Sequence, residues 1–372
     1  MPQFKEVLSI NNLQKERAMI RVLYAGSPEA SAKTLSLLFD GADGYEIAGV
    51  LSNPPSAQGR HKTPVSTPVA RFAEERGIPI FTPEHLNAAS REEIASIRPD
   101  ILVCFAYGHI FGPKFLSLFP LGAINLHPSL LPKYRGPAPV NAAILNRDTK
   151  TAVTVQTISL AMDEGDILAQ EIVELDGTET SFSLLDHCAS RGAEIIKKLL
   201  EECASNGKLP EGKKQTGKAS YTKIITKDDC RIDWMKSAAE IDAKIRAYFP
   251  EPGAWTEENG SPLKILSARI YEGENPLATE ACPSKKNTVS ENDAAPENAE
   301  PLDSECALVS GDTAASSQVP GTVLSFDKKR GILVQTGSGI IAVTELQRQG
   351  KKALDASSFI NGARNFVGTV LC

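Results

Sequence analysis

The chain has 372 residues, 41% hydrophobic and 23% charged, with a formal net charge of -6 at pH 7. That length exceeds one typical domain of roughly 100–200 residues, and the composition is that of a globular chain able to bury a sizeable core. No apolar run approaches the roughly 20 residues of a membrane span, and seven scattered cysteines without C-x-x-C spacing suggest neither a zinc cluster nor a disulfide scaffold; no membrane partner and no metal are expected, and a reducing cytoplasm is the expected compartment.

Residues 1–18 (MPQFKEVLSINNLQKERA) form a short amphipathic N-terminal extension without the pattern of a signal peptide. Met19 directly precedes a strand-like run, and translation is expected to start there. From Ile20 the chain alternates strand and helix. Apolar runs at 20–25, 45–51, 101–106 and 122–126 read as buried strands, with helical patterns at 28–39, 66–76 and 90–97. This alternation predicts parallel strands joined by crossover helices, a Rossmann-like open, mainly parallel α/β sheet. Ser27 and Pro28 suit the N-cap and N1 positions of the first helix. The turn YAGSPEAS is neither G-x-G-x-x-G nor a P-loop, which disfavours a dinucleotide or ATP cofactor. The loop 53–68 (NPPSAQGRHKTPVSTP) carries the basic triplet Arg60-His61-Lys62.

TAVTVQTIS (151–159) alternates and is β-branched, so it reads as a further strand. A long amphipathic helix then ends at Gly207. Residues 207–227 hold six lysines against Glu211 alone and have linker composition. Beyond RIDW, a helical period over 238–249 and short strands at 262–272, 321–327, 331–337 and 339–347 suggest a small β-barrel with one or two helices. Residues 273–318 are rich in Glu, Asn, Ala, Ser and Pro and lack aromatics, which reads as an acidic disordered insertion between two barrel strands. Residues 272–318 carry a net charge of -8, so the remainder is weakly positive at +2. Local basic stripes can attract phosphates whatever the total charge.

The segment AINLHPSLLPKYRGPAP (123–139) holds the densest chemistry. Asn125 and His127 lie two apart at the end of a predicted strand, so both side chains share one face. In open α/β sheets ligands bind beyond the carboxyl ends of the strands. An amide donor and an imidazole would meet where a substrate lies. The alternative is that Asn125 caps a turn and His127 is a packed strand-end residue. Asp163, in LAMDEGDIL (160–168), sits on a loop after the next strand and could complete an Asn/His/Asp set or be a plain turn residue. Gly165 permits a turn with positive φ.

Together these residues resemble the 10-formyltetrahydrofolate-dependent formyltransferases. The motif N-x-H-x-S-L-L-P stands here at Asn125, His127, Ser129, Leu130, Leu131 and Pro132, followed by the acidic turn at Asp163, Gly165 and Asp166. The AGSPE turn, the Q-G-R loop before S-T-P-V, RIDW (231–234), IRAYFPEPGAW (245–255) and GKKAL (350–354) resemble the methionyl-tRNA formyltransferases within that group. The resemblance runs from about Met19 to Cys372, apart from 273–318. It implies a formyltransferase catalytic domain at 19–206, a basic linker at 207–227 and an OB-like C-terminal tRNA-binding domain at 228–372. The implied reaction moves the formyl group of 10-formyltetrahydrofolate to the α-amine of methionine on initiator methionyl-tRNA, with no metal and with a monomer expected.

Asn125, His127 and Asp163 would then be catalytic. Phe105, Ala106, Tyr107, Gly108, Ser129, Leu130, Leu131, Pro132, Met162 and Gly165 would line the folate pocket, largely through main chain. Arg60, Lys62, Lys213, Lys214 and Lys218 would meet tRNA. His61 stands where the family has a small residue, and Pro64 falls earlier than expected. An amino-sugar-nucleotide N-formyltransferase, which shares the two-domain plan, is the rival reading. Phosphate contacts position a partner and weaken with salt. Affinity for tRNA is therefore expected to fall steeply as salt rises. Arg60→Ala should weaken the tRNA reaction far more than folate binding; unchanged tRNA kinetics in that variant would contradict the role given to this loop.

Overall fold

The structure is a computed structural model that describes residues 19–58, 63–273, 318–363 and 365–372. The N-terminal extension, the triplet Arg60-His61-Lys62 and almost all of the acidic insertion lie outside the described residues. The chain divides into two compact units: the first holds residues up to Arg231 together with Ala243–Ala254, the second Ile232–Asp242 together with Trp255–Cys372.

In the first unit, β1 (Ile20–Gly26), α1 (Glu29–Asp40), β2 (Tyr45–Leu51), the short strands β3 (Ser56–Gln58) and β4 (Thr63–Val65), α2 (Pro68–Glu75), β5 (Ile80–Phe81), α3 (Ala88–Ser96), β6 (Ile101–Phe105), α4 (Pro113–Leu116) and β7 (Ala123–His127) follow one another. Then come α5 (Pro139–Leu145), β8 (Lys150–Thr157), β9 (Ile167–Glu174) and the 26-residue α6 (Ser181–Asn206). Seven strands form one sheet in the order β5-β2-β1-β6-β7-β8-β9. The β2–β5, β1–β2, β1–β6 and β6–β7 pairs are parallel; β7–β8 and β8–β9 are antiparallel. The expected open, mainly parallel sheet is therefore present. The chain reverses direction across the sheet between β1 and β6, which leaves a crevice at their carboxyl ends.

Alternation sorts the strands into two faces. Val22, Tyr24, Val103, Ile124, Leu126, Val153 and Val155 share one core with residues of α1, α2 and α6. Leu23, Ala25, Leu102, Cys104 and Ala123 share the other with Phe81, Ile94, Phe111, Phe115 and Phe119. Helix α6 is fixed at both ends. Thr180 and Ser183 form a reciprocal capping box, and Gly207 closes it in the left-handed conformation. Gly192 lets α6 lie close on β7, since a Cβ there would stand 2.3 Å from a Leu126 methyl.

The AGSPE turn departs from the expected cap. Helix α1 begins at Glu29 with Pro28 at its cap position and no side-chain cap bond. The Ser27 hydroxyl instead accepts from Asn53 N at 3.2 Å. Gly26 is required by crowding: a Cβ would meet the Phe105 carbonyl oxygen at 2.6 Å.

The second unit is antiparallel. Its strands β10 (Ala254–Glu258), β11 (Ser261–Ile270), β12 (Val323–Asp327), β13 (Gly331–Gln335), β14 (Ile340–Arg348) and β15 (Leu354–Asp355) pair in the order β10-β11-β14-β13-β12, with β15 on β14. Two helices accompany them, α7 (Ala238–Tyr248), which runs across the division between the units, and α8 (Ala356–Asn361). Trp234 of RIDW is buried and donates to Thr256 Oγ1 at 2.9 Å.

The C-terminal residues close this sheet. Val323 N donates to Thr369 O at 2.9 Å on one edge, and Glu257 N donates to Cys372 O at 2.9 Å on the other. Closure removes both free edges, as a small barrel requires. Deleting residues 369–372 breaks these bonds and strips out the buried Leu371. It should cost the second unit about 3 kcal/mol or more. A thermal melt unchanged from that of the full chain would contradict the closure.

Candidate active site

Strand β7 continues the apolar face of Leu102, Cys104 and Ala123 into Asn125 and His127. The hydrophobic pattern stops at the crevice end of the sheet, and polar side chains take over the same face. On β8, Gln156 lies directly opposite Asn125 and Thr154 opposite His127. Opposed residues share a face, so four polar side chains meet there. The loop from β8 to β9 then carries Asp163 back over them.

His127 is 4% exposed. Its Nε2 lies 3.0 Å from the Tyr134 carbonyl oxygen, and its Nδ1 lies 3.6 Å from Asp163 Oδ2. A carbonyl can only accept, so Nε2 carries the proton. Burial lowers the pKa of His127 below its ordinary value and outweighs the Asp163 charge and the Tyr134 carbonyl, which both raise it. The ring is therefore neutral, with an unprotonated Nδ1 facing a carboxylate across a gap too wide for a hydrogen bond.

Asp163 is held by other donors. Gly136 N donates to Oδ2 at 2.7 Å, and Gln156 Nε2 donates to Oδ1 at 3.0 Å. The left-handed φ in this loop falls on Asp163 itself (φ 52), and Gly165 is not at positive φ. Gly165 answers a different demand, because a Cβ would stand 1.6 Å from the Thr157 carbonyl oxygen. Of the six non-glycine residues at positive φ among the described residues, Ala106, Tyr134 and Asp163 flank this site. Strained backbone of this kind concentrates where the surrounding structure holds it for function.

Asn125 is half-buried, and its side chain makes no hydrogen bond to another described residue. Its amide is free to donate to a ligand. Cys104, its register partner on β6, is buried, and burial pushes its thiol up to about 12, so it stays protonated and serves as packing.

The other sequence-predicted residues fall around this centre. The Phe105 ring belongs to the opposite face of the sheet, so only its main chain borders the crevice. Ala106 and Gly108 are exposed, while Tyr107 is buried. Tyr107, Phe111 and Phe115 stack at 5.5 and 5.1 Å between successive ring centres. Over this ladder the loop exposes 74% of Ile110. A cleft of about 550 Å³ opens beside it, with Leu86, Arg91, His109, Ile110 and Lys114 on its walls; the Asn125, His127 and Asp163 side chains do not line it.

Ser129 and Leu131 are buried, Leu130 and Pro132 are half-buried, and the Ser129 hydroxyl donates to Lys133 O at 2.7 Å. Met162 is exposed. Lys213, Lys214 and Lys218 are exposed, and Lys213 pairs by its backbone with Ile167 of β9. Arg60 and Lys62 lie outside the described residues. No helix of the described residues is long and apolar enough to cross a membrane.

The Formyl transferase family profile matches residues 18–200, and the Formyl transferase, C-terminal domain profile matches 224–364. The chain is 38% identical over 357 residues to a methionyl-tRNA formyltransferase of Treponema denticola, covering 94% of this chain and 98% of that one. It is 35% identical to the protein of that name from Roseiflexus castenholzii, covering 93% and 96%. The chain belongs to the methionyl-tRNA formyltransferase family.

Solved structures add the fold. A methionyl-tRNA formyltransferase from Clostridium thermocellum matches with a TM-score of 0.51 at 17% identity, over 69% of this chain and 96% of that one. HypX from Aquifex aeolicus matches at 0.56 and 14% over 92% of this chain, which spans about half (48%) of the HypX chain. A sugar 3N-formyl transferase, WlaRD, matches at 0.54 and 20%, over 90% and 99%.

For this formyltransferase the buried histidine has a consequence for stability. Its folded-state pKa lies below the unfolded value of about 6.5. As pH falls through that value the unfolded chain takes up the proton first, so stability is lost on acidification. Urea unfolding between pH 7.5 and 5 should show a shallower loss for His127→Asn than for the native chain. Identical slopes would mean that His127 is not held neutral by burial.

Proposed function

We propose that the chain transfers the formyl group of 10-formyltetrahydrofolate to the α-amino group of methionine on initiator methionyl-tRNA, for initiation of translation. The near-full-length similarity to proteins named methionyl-tRNA formyltransferase supports the acceptor. The observation that carries the chemistry is the meeting of a free amide, a neutral imidazole and a carboxylate at the crevice end of the sheet.

Formyl transfer is acyl transfer to an amine. The neutral amine is already a nucleophile, so no covalent enzyme intermediate is needed. As the nitrogen attacks the formyl carbon, the carbonyl oxygen becomes an oxyanion and the Asn125 amide donates to it. Removing one such donor typically costs on the order of 100–1,000-fold in rate. His127 Nδ1 takes the proton that the attacking nitrogen sheds. The imidazolium so formed faces Asp163, whose charge stabilises it. Collapse breaks the bond from carbon to N10, and the same proton passes to N10 as it leaves. Atoms and charge balance, and His127 ends neutral. Because Nε2 is tied to the Tyr134 carbonyl, one ring nitrogen performs both proton steps.

The folate would lie along 105–111, with the exposed Ile110 against its flat ring system and main-chain groups of 129–132 and 161–165 at its edge. Arg60 and Lys62 would reach the acceptor end of the tRNA. Lys213, Lys214 and Lys218 would follow its phosphates, positioning it without reading sequence.

The test incubates the purified chain with formyl donor and either methionyl-tRNA or an amino-sugar nucleotide. Formylmethionine is the expected product, and formylation of the sugar alone would overturn the substrate assignment. Asn125→Ala, His127→Ala and Asp163→Ala should each lower turnover at least about tenfold while circular dichroism stays native. Near-normal turnover of His127→Ala would remove the proton-transfer role.

A further inference from the structure

The segment expected as a linker contributes side chains to the first unit. Ser220 and Thr222 bond the turn that clamps the site. Tyr134 N donates to Ser220 Oγ at 2.9 Å, Thr222 N donates to Arg135 O at 2.7 Å, and Ala138 N donates to Thr222 Oγ1 at 3.0 Å. That turn supplies the Tyr134 carbonyl to His127 and the Gly136 amide to Asp163.

Within this strap Gln215 is bonded at both ends. Its Oε1 accepts from Arg135 Nε at 3.1 Å and from a terminal Arg135 nitrogen at 2.8 Å. Its Nε2 donates to the Asp163 carbonyl at 2.7 Å and the Gly165 carbonyl at 2.9 Å, and approaches Gln156 Oε1 at 3.1 Å. Arg135 is 9% exposed and is fixed from its far side by Glu164 at 2.6 Å and the Tyr221 hydroxyl at 2.8 Å.

These contacts form a chain of defined polarity. A guanidinium only donates, so it forces the Gln215 oxygen toward itself and the Gln215 nitrogen toward the loop. The two protons of that nitrogen go to the Asp163 and Gly165 carbonyls, and the Gln156 oxygen shares one of them at 3.1 Å. The Gln156 amide is left with one sense, its nitrogen toward Asp163 Oδ1. The same Gln215 nitrogen holds the carbonyl of Asp163, the residue at left-handed φ. We infer that Gln215 is a positioning residue for formyl transfer, setting the sense of the Gln156 amide and, with it, the carboxylate and backbone of Asp163. This rests on the reading of Asn125, His127 and Asp163 as the reacting group.

The test measures kcat and KM for formyl donor and methionyl-tRNA in two variants. Gln215→Leu keeps the bulk and removes every polar contact. Gln215→Glu keeps an acceptor for Arg135 and loses the donors; it decides the question if the leucine variant does not fold. Each should lower kcat about 10- to 100-fold, with both KM values within about threefold of native. A kcat within threefold of native, or a loss confined to KM, overturns the proposal; a purely structural strap would lower the melting temperature and leave kcat in place.

In an Asp163→Ala background, followed by single-turnover assay, adding Gln215→Leu should lower the rate less than about threefold further, because residues acting as a unit are not additive. A further tenfold fall means that Gln215 acts elsewhere and overturns the inference. Native turnover of Asp163→Ala alone would instead overturn the reading of the site.

Discussion

A neutral imidazole and a carboxylate held 3.6 Å apart, with no proton between them, form the constraint on which the site depends. Each group is anchored by bonds other than a bond to its neighbour. His127 is tied through Nε2 to a backbone carbonyl, and Asp163 takes an amide on each oxygen. If they were free to approach, a shared proton would join them as an ordinary ion pair. Burial disfavours the charged ring, while the carboxylate favours it. The balance leaves a neutral ring beside a carboxylate that would stabilise its charged form.

The fold supplies this arrangement because its sheet changes character beyond β7. Parallel strands end at one edge, where crossover loops gather, and β7 brings Asn125 and His127 to that edge. An antiparallel neighbour then begins its own run beside them, so Gln156 and Thr154 enter the same face from the opposite direction. The loop that follows β8 leaves opposite Ile124 and folds back over this face, which places Asp163 beside His127. A fully parallel continuation would have placed that loop behind a crossover helix.

Much of this was legible in the chain. Period two placed Asn125 and His127 on one face, and alternation of apolar strands with amphipathic helices predicted the layered sheet. Gly207 was readable as a helix terminus because a left-handed C-cap favours glycine. Other features were not local and left no mark. Ser27 looks like a helix cap, but a partner 26 residues away takes its hydroxyl. Gly165 suggests positive φ, yet its need is space beside Thr157, and the left-handed residue is the aspartate two positions earlier. Tyr134 enters through its carbonyl, which carries no side-chain signature. Closure of the second unit by its final residues depends on pairing across more than a hundred positions.

The stretch after Gly207 shows what composition alone does not report. Its lysines dominate the count and they are exposed, which is the property that linker composition reports. Gln215, Ser220 and Thr222, uncharged and few, are the residues that turn inward. An inward lysine would bring a charge into a partly dry site and compete for Asp163, raising the cost of desolvation. Neutral amides and hydroxyls can bond both acceptors and donors without that penalty. One strap thus carries its cations outward while its uncharged side chains bond the turn and the loop of the site, because the two sets are different residue types at interleaved positions.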